Sequence, residues 1–205
     1  MSGKTTKKDG RRLVLASTSR YRRALLERLR MPFDVVAPDV DEAELPGETP
    51  AATACRLADA KARAVAVRSG DALVIGSDQV ADAGGIAISK PGTHEAAVRQ
   101  LAKLSGRTIV FHTAIALVDA ASGRARHRLV DVRSTFRTLT PQAIDDYLRR
   151  EAPYDCAGAV KSEALGIALF ERIESDDPTA LIGLPLIALT DLLREEGVDV
   201  LASDA

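Results

Sequence analysis

Tryptophan is absent from this 205-residue chain, and aromatic residues make up only 3% of it. A core must therefore be filled by aliphatic side chains. Cysteine is nearly absent too. Cys55 and Cys156 lack metal-type spacing and are too few for a framework of bridges, so a reducing, cytoplasmic compartment is expected. No segment approaches the roughly 18 apolar residues of a membrane span. The opening MSGKTTKKDGRR is polar and basic and lacks the apolar centre of a secretory signal. Nor is there a surplus of one charge. The formal net charge is −1, which argues against electrostatic binding of a nucleic acid polymer and makes any anion site local. Internal repeats and low-complexity linkers are missing as well.

What remains is ordinary for a globular enzyme: 46% hydrophobic and 28% charged residues. The polar, basic opening suggests a disordered tail over 1–12, and the length suggests one domain, or two small lobes around one site, over 13–205. Leu13–Ala16 reads as a buried strand, leading into a helix from about Arg20 to Leu29 with Leu25, Leu26 and Leu29 inward. FDVVAPDVDEAE is a short strand running into an acidic loop. Thr49-Pro50 opens a helix through CRLADAKARAVAV. Residues 72–78, ALVIGSD, suit a strand buried on both faces, followed by a Gly84-Gly85 turn and a return strand Ile86–Ser89. A helix over 94–104 precedes two long runs, 108–118 and 126–138, that read as an antiparallel pair. Thr140-Pro141 starts another helix, GIALFERI (166–173) reads as a strand, and Pro185 starts the last helix. This pattern predicts an α/β fold: a mixed sheet with helices, in two lobes around a cleft.

Candidate chemistry is distributed along the chain. LVLASTSRYRRALLERL places three hydroxyls, Ser17, Thr18 and Ser19, before a helix whose first turn holds Arg20, Arg22 and Arg23. Cations oppose the positive end of a helix, so an anion between them would make the arrangement favourable. A capped helix with solvated arginines is the alternative. PDVDE puts Asp39, Asp41 and Glu42 within four positions, a set of oxygen ligands for Mg²⁺ or Mn²⁺ or else a solvated loop. Lys61 lies one turn after Leu57, on an inward stripe. Lys90 is followed by the rigid Pro91. Asp78 ends the apolar run 72–78, and an acid at a strand end can be a base towards water or a turn residue.

Together these pieces resemble the Maf family of nucleoside triphosphate pyrophosphatases. The resemblance runs from Leu13 to about Gly197 through LASTSRYRRALL, PDVDE, RLADAKARAVA, VIGSDQV, the SKP step, LAKLSGR, YDCAGAVKSEALG and IGLPL. It implies a two-lobed Maf/ITPase-like fold on a long curved mixed sheet, and hydrolysis between the α and β phosphates of a nucleotide. It further implies Asp78 as base, Glu42 as metal ligand, and Ser17, Arg22, Lys61 and Lys90 as phosphate-binding residues. A divalent metal, a small nucleotide substrate and a homodimer are implied with them.

Within the family the chain resembles the branch acting on 7-methyl-GTP rather than the one acting on dTTP and UTP. Tyr21, Gln79 and Glu163 stand at the discriminating positions. A carboxylate such as Glu163 can accept both N1–H and the N2 amine of guanine, whereas uracil has one imide donor between two carbonyls. A 7-methylated purine is cationic and would stack on Tyr21. Gln79 could meet a base or ribose edge with either end of its amide. Two departures stand out: Tyr21 replaces the expected Trp, and Arg20 stands where Pro is usual. The alternative activities are dTTP/UTP hydrolysis and a non-catalytic, nucleotide-binding role in regulating cell division.

Overall fold

The computed structural model describes residues 12–202. The tail expected over 1–12 lies outside the described residues except for Arg12, and so do residues 203–205. The strands are β1 (Arg12–Ala16), β2 (Asp34–Val36), β3 (Ala72–Asp82), β4 (Ala87–Ile88), β5 (Thr108–Asp119), β6 (Ala125–Phe136) and β7 (Phe170–Glu174). They form one sheet in the order β2-β1-β3-β5-β6-β7, with β4 paired to the end of β3. β1 runs parallel to β2 and β3, while β5, β6 and β7 continue antiparallel. The sheet is mixed, as expected, and among the described residues five helices flank it: α1 (Arg20–Glu27), α2 (Pro50–Ala66), α3 (His94–Leu104), α4 (Pro141–Glu151) and α5 (Leu186–Glu195).

Strand alternation sorts the core into layers. Leu13, Leu15, Leu73, Ile75, Ile115 and Leu117 cluster with Leu25, Leu26 and the leucines of α5. Val14, Ala16, Val74, Ala114 and Ala116 meet Ala54, Ala58 and Ala62 of α2 instead. A third cluster joins Phe111, Val132 and Phe136 to α3 and α4. The long strands β3, β5 and β6 carry the sheet from one region to the other.

Two features of this packing set the site. The first is the close seating of α2 on β3. Its small residues Ala58 and Ala62 lie against Gly76, where an added Cβ would come within 2.2 Å of the Ala58 carbonyl oxygen. Glycine inside a strand marks such an approach. Lys61, one residue before Ala62, is thereby brought down to the sheet. The second is a difference in strand length. β1 stops at Ala16, level with Gly76, but β3 continues to Asp82 against β5. Asp78 therefore does not end its own strand, as expected from the run 72–78. It sits mid-strand, two residues past the end of its parallel neighbour, and the opening comes from β1 being short.

Other boundaries also differ. GIALFERI is not one strand: Leu165–Leu169 is a 3₁₀ segment and β7 begins at Phe170. Gly166 explains the turn, since a Cβ there would lie 2.5 Å from the Lys161 carbonyl oxygen. The return strand after Gly84-Gly85 is two residues long, and α1 ends at Glu27 with Leu29 in the following turn.

Candidate active site

Ser17, Thr18 and Ser19 follow β1 directly, and the hydroxyls of Ser17 and Ser19 act locally. The Ser17 hydroxyl accepts from the Ser19 amide at 3.1 Å, and Ser19 caps α1 by accepting from the Arg22 amide. That fixes the helix start and so the direction of the arginines. Each arginine has an answer within the protein. Arg23 pairs with Glu27 along the helix, and Arg20 lies 3.7 Å from Asp155. Arg22 turns inward, donating through Nε to the Gly183 carbonyl at 2.9 Å with Nη2 4.0 Å from Asp78. Burial lowers the Arg22 pKa, and Asp78 and then Glu42 oppose that shift.

The centre of the site is an ion network. Lys61, 4% exposed, places its ammonium 2.6 Å from Asp78 Oδ1 and 2.8 Å from Glu42 Oε1. Asp78 is 7% exposed, and its contacts with both Lys61 and Arg22 fall on Oδ1. Oδ1 is thus the oxygen that the two cations hold, in a residue that lines the main cleft. For Glu42 burial raises the pKa, but the hydrogen bond and charge of Lys61, then Lys90 and Arg22, outweigh it, and the net direction is down. Glu42 stays an anion at neutral pH. The loop behind it is fastened by Arg56, which grips Glu48 at 2.8 Å through Nε and through Nη2 and also holds the Ala43 carbonyl at 2.9 Å.

These groups line a cleft of about 870 Å³, together with Ser17, Ser19, Tyr21, Gln79 and Lys90. It adjoins a side cleft of about 130 Å³ bordered by Tyr21, Gln79, Phe111, Asp155 and Glu163. Ser17, Arg22, Glu42, Lys61, Asp78 and Lys90 thus meet in one cleft, and Tyr21, Gln79 and Glu163 in the next. The structure does not gather Asp39 and Asp41 with Glu42. Both are exposed, and Asp41 accepts from the Ala43 amide instead. Among the described residues no group of three or more His, Cys, Asp or Glu is placed to hold a metal. Lys161 pairs with Glu151 at 3.3 Å.

The side cleft has a defined polarity. Gln79 Nε2 lies 2.9 Å from Thr113 Oγ1 and 2.9 and 3.0 Å from the Ala180 and Leu181 carbonyls. Two of those partners can only accept, which fixes the amide orientation. Gln79 offers either amide end in sequence terms, but the fold consumes the nitrogen and leaves Oε1, an acceptor. Tyr21 carries the Arg20 guanidinium 4.8 Å from its ring centroid. Burial, the largest cause, pushes the Tyr21 hydroxyl up to about 12, so it stays protonated at neutral pH.

Sequence reasoning assigned no role to Gly183 or Ser77. Ser77 Oγ lies 3.0 Å from the Gly183 carbonyl, the same oxygen that Arg22 grips, and Gly183 has φ of 115°. The signal was present in the glycine of IGLPL, since only glycine adopts that backbone conformation readily. Gly76 was a second unused signal.

A parallel strand ending early beside a longer one, with cations and an acid gathered at the opening, defines an α/β protein with a charged cleft at a sheet switch point. The chain belongs to the Maf family: the model described as Maf-like protein matches residues 12–196. A protein named 7-methyl-GTP pyrophosphatase from Thiobacillus denitrificans is 61% identical over 92% of this chain and 94% of its own. One of the same name from Burkholderia thailandensis is 62% identical over 91% and 88%. Another, from Polaromonas sp., is 59% identical over 94% and 88%. Among solved structures, a HAM1 protein from Coxiella burnetii covers 78% of this chain and 98% of its own, with a TM-score of 0.43 and 15% identity.

Proposed function

We propose that this chain is a nucleoside triphosphate pyrophosphatase that hydrolyses 7-methyl-GTP to 7-methyl-GMP and pyrophosphate. The observation that carries the reading is the buried Asp78, surrounded by Arg22 and Lys61 in a cleft that opens into a second one lined by Tyr21, Gln79 and Glu163. Relatives near 60% identity bear that activity in their names.

The main cleft would take the triphosphate and the side cleft the base. Asp78 orients the attacking water and takes its proton as the water oxygen bonds to phosphorus and the α–β bridging bond breaks. Arg22, Lys61 and Lys90 lie around the cleft where negative charge grows on the departing pyrophosphate. In the side cleft Gln79 Oε1 and Glu163 present acceptors, which matches guanine's N1–H and N2 donors and mismatches uracil's two carbonyls. The Tyr21 ring would receive the cationic purine.

The donor set fits a divalent cation that binds mainly through substrate. Glu42 and Asp78 share one cleft, and Mg²⁺ or Mn²⁺ commonly keeps waters and uses one or two carboxylates plus phosphates. When bound, such an ion supplies Lewis-acid neutralisation of phosphate charge. Glu42 would hold it through the oxygen not engaged by Lys61.

No helix among the described residues is long and apolar enough to cross a membrane. A cytoplasmic, single-domain enzyme acting as a homodimer completes the reading; light scattering tests the assembly state.

The experiment is pyrophosphate release from 7-methyl-GTP, GTP, dTTP and UTP, with and without chelator. The expected result is highest kcat/KM on 7-methyl-GTP, lost on chelation and restored by Mg²⁺ or Mn²⁺. Preference for dTTP and UTP would assign the chain to the other branch. Binding without turnover in saturating metal would make it a regulator.

A further inference from the structure

Asp155 belongs to neither the phosphate-binding nor the base-reading set, yet it borders both clefts. The residues common to the two clefts, Tyr21, Gln79, Lys90 and Asp155 among them, mark their junction. If a nucleotide puts its phosphates in one and its base in the other, its sugar must lie there. A ribose presents hydroxyls, each of which can donate to an acceptor. Among the described residues Asp155 is the one carboxylate at this junction.

Its present contacts leave it available. The Tyr21 hydroxyl lies 3.5 Å away, Arg20 Nη2 3.7 Å and the Cys156 thiol 3.5 Å, and the side chain is 55% exposed. The hydroxyl and guanidinium separations exceed good hydrogen-bond lengths. The backbone, by contrast, is tied down. The carbonyl of Tyr154 accepts from the Gly92 amide at 3.1 Å, which joins the Asp155 segment to the loop carrying Lys90. An acid with weak partners on a tethered backbone is suited to a ligand hydroxyl.

We propose that Asp155 accepts hydrogen bonds from the ribose hydroxyls of the bound nucleotide and so reads the sugar. This rests on the pyrophosphatase reading. The test compares kcat/KM for ribo-, 2′-deoxy- and 3′-deoxy-triphosphates of one base, for guanine and for uracil, in the unaltered protein, Asp155→Ala and Asp155→Asn. Ratios within one base cancel base preference. The unaltered protein should lose about tenfold when the bound hydroxyl is removed, as expected for a hydrogen bond to a charged group. In Asp155→Ala the ribo substrate should fall by about tenfold and the ribo/deoxy ratio should approach one, with Asp155→Asn between. A ratio unchanged in Asp155→Ala, or no discrimination in the unaltered protein, overturns the proposal, because a merely structural role would lower all sugars alike. Should no triphosphate be hydrolysed, the pyrophosphatase reading fails, and calorimetric affinities for the same pairs decide the role of Asp155 separately.

Discussion

The ammonium of Lys61 lies 2.6 Å from the carboxylate of Asp78, and both are buried where α2 crosses β3. The same ammonium holds Glu42 at 2.8 Å. One lysine thus links the proposed base to the proposed metal ligand. Replacing Asp78 by Asn keeps an oxygen for Lys61 but removes the proton acceptor. Turnover should fall by at least about 100-fold, the lower end for loss of general-base catalysis, while nucleotide affinity measured by calorimetry is retained. Activity near that of the unaltered protein would remove Asp78 from the mechanism.

Lys61→Met addresses the same pair from the other side. It leaves Asp78 in its buried place with only the more distant Arg22, 4.0 Å away. Breaking a buried pair by removing one partner typically costs about 3–5 kcal/mol. Urea unfolding should show a loss of about 3 kcal/mol, Arg22 offsetting part of the penalty. A double variant, Lys61→Met with Asp78→Leu, should recover some of that stability without any activity. No recovery in the double variant would mean that the lysine acts through packing alone.

Gly76 places these charges. A methyl group there would meet the Ala58 carbonyl oxygen at 2.2 Å and the Ala62 amide at 2.7 Å, both backbone atoms that cannot rotate away. Gly76→Ala should push α2 off the sheet, lower the urea midpoint by the equivalent of about 1–3 kcal/mol or more, and carry Lys61 away from Asp78. Activity should fall further than the remaining folded fraction explains. A variant with unaltered stability would contradict the close seating of α2.

Much of this was legible beforehand, for reasons that differ by element. Caps and prolines at Thr49-Pro50 and Thr140-Pro141 announced helices that begin at Pro50 and Pro141, because those signals are local. The long runs around Ala-Ala-Ser-Gly became β5 and β6 within one or two residues for the same reason. Asp78 was misplaced because strand length depends on a neighbour: the apolar run ends there, but pairing with β5 carries the strand on to Asp82. GIALFERI looked like a strand by composition, and the tight approach of Gly166 to Lys161 is a tertiary fact. Gathering of Ser17, Glu42, Lys61 and Lys90 in one cleft came through the family resemblance rather than residue patterns. The acceptor-only orientation of Gln79 was readable from neither, since its partners lie about 100 residues further along the chain.

That orientation makes base selectivity testable. Glu163→Gln exchanges one acceptor for a donor-acceptor amide at the side cleft, and Gln79→Leu removes the other. Each should lower the ratio of 7-methyl-GTP to UTP turnover by about tenfold, the scale of one or two hydrogen bonds. Kinetics on both nucleotides with each variant provides the check. Unchanged ratios would take Glu163 and Gln79 out of base reading and leave selectivity to Tyr21.

The loop carrying Glu42 has its own pH signature. Hydrogen bonds from Arg56, the largest cause, with further ones from Thr53 and the Leu45 amide, hold the Glu48 carboxyl down at about 2. An unfolded glutamate titrates near about 4.3. The folded pKa is the lower of the two, so the stabilisation is fully present above about pH 4.3 and disappears as the pH falls towards 2. Glu48→Gln lacks that titration. Urea midpoints followed through this window should therefore fall less steeply in the variant, the two curves converging towards pH 2. Because Arg56 also holds the Ala43 carbonyl next to Glu42, the variant should need more Mn²⁺ for half-saturation in calorimetry at neutral pH. Parallel stability curves with unaltered metal affinity would mean that Arg56 and Glu48 do not brace the loop.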